Sequence, residues 1–217
     1  MCGRIANTLP PDSVARLFEA VPANALPPVP DYNVCPTQQV AVVTADPGRR
    51  LRPMRWGFLP HWYKSPTDGP LLINARSETI AEKPAFRAAC RERRCLVPVT
   101  GFYEWHRTKD ARLPWFVQRA DGEPLVLAGI WQDWGEDQQP TFAIVTTEAN
   151  AAMAQIHHRI PVVIEADDWA LWLGEEGKGA ALLMHPPGED VLRFHRVSTE
   201  VNSNRAEGPQ LIEPIAA

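Results

Sequence analysis

The second residue of the chain, Cys2, offers the most distinctive chemistry in the sequence. It follows Met1 and precedes Gly3, and its small side chain favours removal of the initiator methionine. Removal would leave an α-amine and a thiol on adjacent carbons, with ordinary pKa values of about 7.7–8.0 and about 8.5, so both are partly nucleophilic near neutral pH. Such a residue can attack an aldehyde through its amine and then close a five-membered thiazolidine ring through its sulfur.

Two other interpretations of Cys2 stay open at this point. It could be an ordinary buried residue near a chain end. It could also attack an amide, as the N-terminal cysteine of class II glutamine amidotransferases does, since those enzymes begin with the same Met-Cys-Gly sequence. A short chain of 217 residues with no ammonia-accepting second domain argues against the amidotransferase interpretation.

Four further residues suit proton transfer or substrate binding. Asn74 offers a donor and an acceptor at the end of a short predicted strand, and Arg76 offers a planar fork for a phosphate. Glu104 stands in an apolar and aromatic segment, where burial would raise its pKa and suit proton transfer. His157 could act as an acid, a base or a carbonyl polariser. Each has an alternative interpretation. The segment with Asn74 and Arg76 could be a strand-ending turn, Glu104 could be an outward-facing strand residue, and His157 could be a surface histidine.

Short elements must position these side chains. Hydrophobic periodicity and turn residues predict helices at 12–21, 80–93, 149–155, 167–173, capped by Asp167, and 178–184. They predict strands at 39–45, 51–56, 71–74, 95–99, 102–106, 114–119, 125–131, 142–147, 162–164 and 192–197. Because strands and helices do not alternate regularly, we expect an α+β fold. We expect one domain over residues 1–217, with a mixed sheet or barrel-like core and flanking helices.

Composition restricts the class of protein. Hydrophobic residues make up 45% and charged residues 22%, as in soluble globular proteins. No apolar run reaches the length of a membrane span and no secretory signal is apparent, so we expect a cytoplasmic protein. The four cysteines form no CxxC pair, so neither a metal nor another cofactor is expected. The net charge of −4 means that nucleic-acid binding would require a local basic cleft.

Seven motifs in the same order over nearly the whole chain resemble those of the SRAP family, the SOS response-associated peptidases, which includes abasic site processing proteins of the HMCES type. Each motif is weak alone, and their order makes the resemblance specific. They are MCGR at 1–4, YNVCPT at 32–37, MRWGFLPHW at 54–62, NARSET at 74–79, RRCLVPVTGFYEW at 93–105, IHHRIPVVI at 156–164 and VSTEVNSN at 197–204.

The resemblance implies an enzyme that binds single-stranded DNA or strand junctions, crosslinks to abasic sites through Cys2, and protects them during the DNA damage response. It implies that Cys2 is the nucleophile, that Asn74 positions its amine, and that Glu104 and His157 move protons. It also implies autoproteolytic loss of Met1 as one origin of the free amine. We expect a monomer that acts at damaged DNA in the nucleoid. The residues expected to contact DNA are Arg4, Asn33, Trp56, Phe58, Trp62, Arg76, Trp105 and Thr146.

Two positions depart from the family pattern. Cys35 stands where alanine is expected, which adds a thiol near the site. His158 stands where aspartate is usual beside the catalytic histidine, which is expected to change the pKa of His157. Two competing functions remain, an N-terminal-nucleophile amidohydrolase or cysteine peptidase and a noncatalytic single-strand binder. The binder would need neither Cys2 nor Glu104.

Overall fold

β-Strands dominate the computed structural model, which describes residues 2–45 and 47–215. The expected removal of Met1 lies outside the described residues. The strands are β1 (Ile5–Asn7), β2 (Val21–Pro22), β3 (Asp31–Val34), β4 (Gln39–Ala45), β5 (Arg49–Trp56), β6 (Asn74–Arg76), β7 (Arg94–Val99), β8 (Gly101–Arg107), β9 (Arg112–Arg119), β10 (Leu125–Trp134), β11 (Gln139–Glu148), β12 (Arg159–Pro161) and β13 (Leu192–Arg196).

The helices are short. They are α1 (Pro11–Leu17), α2 (Arg87–Glu92), α3 (Ala151–Ala154) and α4 (Trp169–Leu173), with single 3-10 turns at Ala166–Asp168, Ala180–Leu183, Thr199–Asn202 and Pro209–Leu211. In the described ranges, no helix combines the length and the apolar character needed to cross a membrane.

Five strands close into a barrel. β5 pairs with β4, β4 with β7, β7 with β10 and β10 with β11, all antiparallel, and a parallel pairing of β11 with β5 completes the ring. β2, β6 and β12 extend this sheet beside β5 and β11. The structure therefore confirms the expected α+β class with a barrel-like core.

A second, antiparallel sheet carries the N-terminal segment. Its strand order is β13-β9-β8-β1-β3, so β1 lies between two neighbours, with Ile5 opposite both Val34 and Phe102. β8 begins at Gly101, where a Cβ atom would lie 2.4 Å from the carbonyl oxygen of Val117. Only glycine allows this close approach of β8 to β9. β1 fixes the position of the residues that follow the chain start.

Alternating apolar side chains let the barrel strands pack on both faces. One cluster joins barrel residues such as Val43 to Phe18 and Trp172 of the helical layer. A second joins the opposite barrel face, including Val42, to Phe102 of the second sheet. Cys2 belongs to this second cluster.

Three helix predictions need correction. The helix predicted at 80–93 begins at Arg87, because Pro84 restricts the residue before it to extended conformations and the chain makes turns there. Asp167 does not cap α4, since it lies inside the preceding 3-10 turn and no side chain caps that helix. The 178–184 helix is a 3-10 turn over Ala180–Leu183.

Candidate active site

Cys2 lies beneath the surface just before β1, with 1% of the residue exposed. Its backbone is held because the Tyr103 N–H donates to the Arg4 carbonyl at 2.9 Å, and its side chain packs with Phe102. Burial raises the pKa of the Cys2 thiol far above its ordinary value, and the Glu104 carboxylate raises it further. This corrects the expectation of a partly ionised thiol at neutral pH, and it makes an α-amine the better first nucleophile.

Glu104 is buried on β8, as expected, with 3% of the residue exposed. Its Oε1 accepts a hydrogen bond from the Trp105 N–H at 3.1 Å. Its Oε2 lies 3.9 Å from the Nδ1 atom of His157. A buried carboxylate next to an imidazole can exchange protons with groups bound between them.

A capped turn of helix positions His157. The Asn150 side chain accepts from the Met153 N–H at 3.0 Å and so caps α3, and the Glu189 carboxylate accepts from the N–H groups of the first turn. His157 follows directly, and its N–H donates to the Met153 carbonyl at 2.9 Å. Its Nδ1 accepts from the Arg159 N–H at 3.0 Å, which favours the tautomer with its hydrogen on Nε2.

Burial lowers the pKa of His157, and the Glu104 carboxylate opposes that shift. His158 stacks on His157, with ring centroids 4.4 Å apart, and its coulombic effect on the pKa of His157 is a small one in the same direction as burial. The substitution of histidine for the usual aspartate therefore helps to keep His157 neutral.

Asn74 begins β6, which pairs in parallel with β11. Both polar atoms of its side-chain amide are buried, and neither has a hydrogen-bond partner among the described residues. Buried amides are nearly always hydrogen-bonded, so this arrangement fits an amide that binds a ligand. The donor and acceptor atoms of the Asn74 side chain are therefore both available to a ligand.

Two adjoining grooves run over this region. The His157 groove has a volume of about 710 Å³, and the Trp62 groove, which also includes Asn74, has about 600 Å³. Ile73 and Arg76 line both, so the grooves meet at Arg76. Arg107 lines the His157 groove and Lys83 lines the Trp62 groove. A basic cleft is thus present on an acidic protein.

Several residues expected to contact DNA are instead part of the core. Trp56 and Phe58 are fully buried, so neither ring offers a face to a base. Trp56 packs against Phe142, and its indole N–H donates to the Ile73 carbonyl at 3.1 Å. Thr146 is also fully buried, where its carbonyl oxygen accepts from Arg159. In this conformation none of these three side chains is accessible to a DNA strand.

Arg4 and Asn33 are buried as well, and they bind the C-terminal segment. Arg4 donates to the Asn33 side chain, to the Val201 carbonyl at 2.9 Å and to the Asn204 side chain. The Asn33 amide donates to the carbonyl of Ser203 at 3.1 Å. The expected phosphate contacts of Arg4 and Asn33 are therefore not available in this conformation.

Trp105 borders the His157 groove, but only 6% of the residue is exposed. Its indole N–H donates to the Asn202 side chain at 2.6 Å, which leaves it unsuited to stack on a base. Trp62, by contrast, is 48% exposed, and Arg76 is exposed between the two grooves. Of the residues expected to contact DNA, these two have the required accessibility.

The sequence reasoning missed an ion pair that joins two motifs. Arg159 is buried, and its guanidinium donates to both carboxylate oxygens of Glu78, at 2.7 and 2.9 Å, and to the Thr146 carbonyl at 2.8 Å. The pair links the segment after Asn74 to the segment after His157. Both residues lie in quoted motifs, but no spacing rule relates positions 81 residues apart.

The remaining cysteines do not form a metal site. In the described ranges, no group of three or more His, Cys, Asp or Glu residues could hold a metal ion. Cys35 is a free, half-buried thiol that donates to the Asn33 carbonyl at 3.3 Å, and burial raises its pKa. Its thiol is therefore not activated.

Comparisons with known proteins agree with this geometry. A family model described as SOS response associated peptidase (SRAP) matches residues 1–204. The abasic site processing protein YoqW of Bacillus subtilis is 34% identical, over 85% of this chain and 86% of its own length. The abasic site processing protein YedK of Escherichia coli is 31% identical, over 99% of this chain and all of its own.

A solved structure from Bacteroides thetaiotaomicron has the same fold. It superimposes with a TM-score of 0.86 at 23% identity and covers 99% of this chain and 100% of its own. The five-stranded barrel and the second sheet therefore belong to a fold already observed by crystallography.

Proposed function

Because the chain belongs to the SOS response associated peptidase (SRAP) family, we propose that it captures abasic sites in single-stranded DNA as a covalent crosslink to Cys2. The crosslink forms after Met1 is removed, and it shields the lesion from strand cleavage and error-prone bypass. The names of the bacterial relatives support this substrate class. The observation that carries the proposal is a buried Cys2 close to Glu104, which lies 3.9 Å from His157 at a basic groove.

The reaction begins at the α-amine of Cys2. Its nitrogen attacks the aldehyde carbon of the ring-opened abasic sugar, the carbonyl π bond breaks, and a proton moves from nitrogen to oxygen to give a carbinolamine. His157 is neutral near pH 7 because its pKa is lowered by burial, so its Nδ1 atom can accept the amine proton in exchange for the hydrogen bond from the Arg159 N–H. The Asn74 amide, which has no partner among the described residues, orients the amine.

Glu104 moves the remaining protons. The Glu104 carboxylate takes a proton from solvent and passes it to the carbinolamine hydroxyl, so that water leaves and an iminium ion forms. The carboxylate then accepts the thiol proton, and sulfur adds to the iminium carbon to close the thiazolidine ring. Glu104 returns that proton to solvent, one water is released, and no oxidant or reductant is needed. The raised pKa of the thiol supports this order, with nitrogen attacking first and sulfur second.

The amidohydrolase or cysteine peptidase alternative has less support. It requires a thiolate that attacks an amide, whereas burial keeps the Cys2 thiol protonated. Removal of Met1 is a separate step, by this site or by a methionine aminopeptidase. The masses of the purified wild type and of Glu104→Gln distinguish the two routes, because Met1 retained only in the variant would indicate self-cleavage.

A denaturing gel tests the proposed function. The purified protein is mixed with a single-stranded oligonucleotide that carries one abasic site, and an intact oligonucleotide serves as the control. We expect a slower band that requires both the abasic site and Cys2. No such band from protein whose mass shows loss of Met1 would contradict the proposal.

The same assay addresses the DNA structure and the assembly. We propose that the protein acts as a monomer in the cytoplasm, at nucleoid DNA, on single strands and on single-strand to double-strand junctions. Crosslink yields on matched single-stranded and junction oligonucleotides, together with light scattering of the free protein, test these points. A dimer, or crosslinking confined to duplex DNA, would contradict them.

A further inference from the structure

The β8–β9 hairpin ends in a basic segment that the proposed chemistry does not use. We define the basic hairpin as residues 107–112, which include Arg107, Lys109 and Arg112, all exposed. The Thr108 N–H donates to the Ala111 carbonyl at 3.0 Å, and the Ala111 N–H donates to the Thr108 hydroxyl at 3.1 Å. These bonds give the tip a defined shape.

The charges of the basic hairpin are not neutralised by ion pairs. Arg107 and Arg112 lie directly opposite each other across the two strands, and facing like charges destabilise a sheet. Among the described residues, no carboxylate lies within salt-bridge distance of Arg107, Lys109 or Arg112, although other arginines such as Arg119 have such partners. The hairpin also contains one carboxylate, Asp110, which forms no ion pair with these cations among the described residues, so three cations against one carboxylate leave a net positive surface that suits an anionic ligand.

The hairpin is also held next to the candidate active site. The guanidinium of Arg112 lies over the Trp105 ring, 5.4 Å from its centroid, and the Arg112 carbonyl accepts from the Asn202 amide at 3.4 Å. Arg107 lines the His157 groove together with Arg76. The cations of the hairpin thus continue the basic surface outward from Arg76.

From this geometry we propose that the basic hairpin binds the sugar-phosphate backbone of the DNA strand next to the abasic nucleotide. Guanidinium groups match phosphate oxygens in a bidentate geometry, and Arg107 lines the His157 groove in which a strand would bind. The inference rests on the proposed function for the identity of the ligand. The hairpin would make a second contact with the DNA, outside the groove. This contact involves no base, and it makes the affinity for DNA depend on the salt concentration.

Fluorescence anisotropy of the full chain with an intact single-stranded oligonucleotide tests the inference. Such DNA has no aldehyde, so the measurement does not depend on crosslinking. Arg107→Gln/Arg112→Gln removes two phosphate contacts, and the slope of log K against log salt should become shallower by about 1.4. The double variant should have nearly the heat stability of the wild type, because the lost repulsion between Arg107 and Arg112 offsets the lost contact of Arg112 with Trp105.

A matched control removes the same charge elsewhere. Arg16 and Arg50 are exposed and line neither groove, so Arg16→Gln/Arg50→Gln should keep the wild-type slope. Arg107→Lys/Arg112→Lys should also keep the slope, because the charges remain. If the double glutamine variant fails to fold, Lys109→Gln alone should make the slope shallower by about 0.7.

The outcomes separate this inference from the proposed function. Equal slopes for the hairpin and control variants would overturn the inference even if the wild type crosslinks abasic DNA. A slope that depends on the hairpin in a protein that never crosslinks would support the inference and contradict the proposed function. A wild type that does not bind intact DNA would also overturn the inference.

Discussion

The distance of 3.9 Å between Glu104 and His157 brings together two proton-transfer groups from separate segments of the chain. Glu104 is held in place by burial on β8, and His157 by the hydrogen bond from the Arg159 N–H. Neither side chain needs to move far to serve a substrate between them. The proposed chemistry therefore depends on individual side chains, and single substitutions can test each of them.

Glu104→Gln keeps the shape of the side chain but cannot shuttle a proton. General acid–base catalysis contributes about 100-fold or more, so we expect crosslink formation to slow by about that factor. Single-turnover quenching on a denaturing gel measures the rate. Glu165→Gln, at an exposed carboxylate paired with Arg119, is the matched control and should react normally. An unchanged rate in Glu104→Gln would remove Glu104 from the mechanism.

The pH dependence should reflect His157. Its pKa is lowered by burial, so the neutral imidazole persists below the usual value of about 6.5 and is lost only when the pH falls through the lowered pKa. We expect the crosslinking rate to fall at that pH. Protonation of the Cys2 amine should lower the rate separately, at a higher pH. Rates from acidic to neutral pH for the wild type and His157→Asn measure this. An acidic inflection that persists in the variant would contradict the assignment.

At the scale of elements, the Arg159–Glu78 pair connects the strand that carries Asn74 to the loop that carries His157. Arg159 is buried, whereas the Glu78 side chain is 43% exposed, so solvent weakens the interaction. Removing the carboxylate still leaves a buried guanidinium without its counter-charge. The pair is therefore expected to stabilise the site more than a surface pair would.

Glu78→Gln should lower the free energy of unfolding by about 1–2 kcal/mol at neutral pH. Hydrogen bonds from Arg159 lower the pKa of Glu78, so its contribution is present above the ordinary carboxyl pKa and lost as the pH falls through the lowered one. Urea unfolding at neutral and acidic pH measures both effects. Asp121→Asn, at an exposed pair with Arg119, should cost less. Equal losses for the two variants at neutral pH would contradict this account.

The sequence predicts some elements well and others badly, for identifiable reasons. The predicted strand at 39–45 matches β4, because its alternating valines are buried on both sides. β1 and β3, with three and four residues, are too short to show a period and were missed. The helix predicted at 80–93 failed because apolar spacing does not reveal the turns around Pro84.

At the scale of the whole molecule, the site forms where the barrel, the second sheet and the loop after α3 meet. Cys2, Glu104 and His157 come from three distant segments, and the sequence motifs predict all three as site residues. The motifs do not reveal that Glu104 and His157 lie 3.9 Å apart. The exposure of the aromatic residues could not be predicted in the same way. Trp56 and Trp62 lie six residues apart, yet one is buried in the barrel core and the other is 48% exposed.

The net charge of −4 is compatible with DNA binding because the cations are distributed unevenly. Arg76, Lys83 and Arg107 line the two adjoining grooves. Sequence composition reports only the sum of the charges, whereas phosphate contacts depend on their local arrangement. The local arrangement of these cations depends on how β6 and β8 pair in their sheets, which composition does not report.

The central claim is that the amine and thiol of Cys2 both bond to the abasic aldehyde, and the intact mass of the crosslink tests it most directly. We predict the mass of the chain without Met1 plus that of the oligonucleotide, less one water, with the DNA attached to the Cys2 peptide after digestion. Cys35→Ala should give the corresponding product and Cys2→Ala should give none. A crosslink that retains Met1, or one that maps to a lysine, would contradict the account.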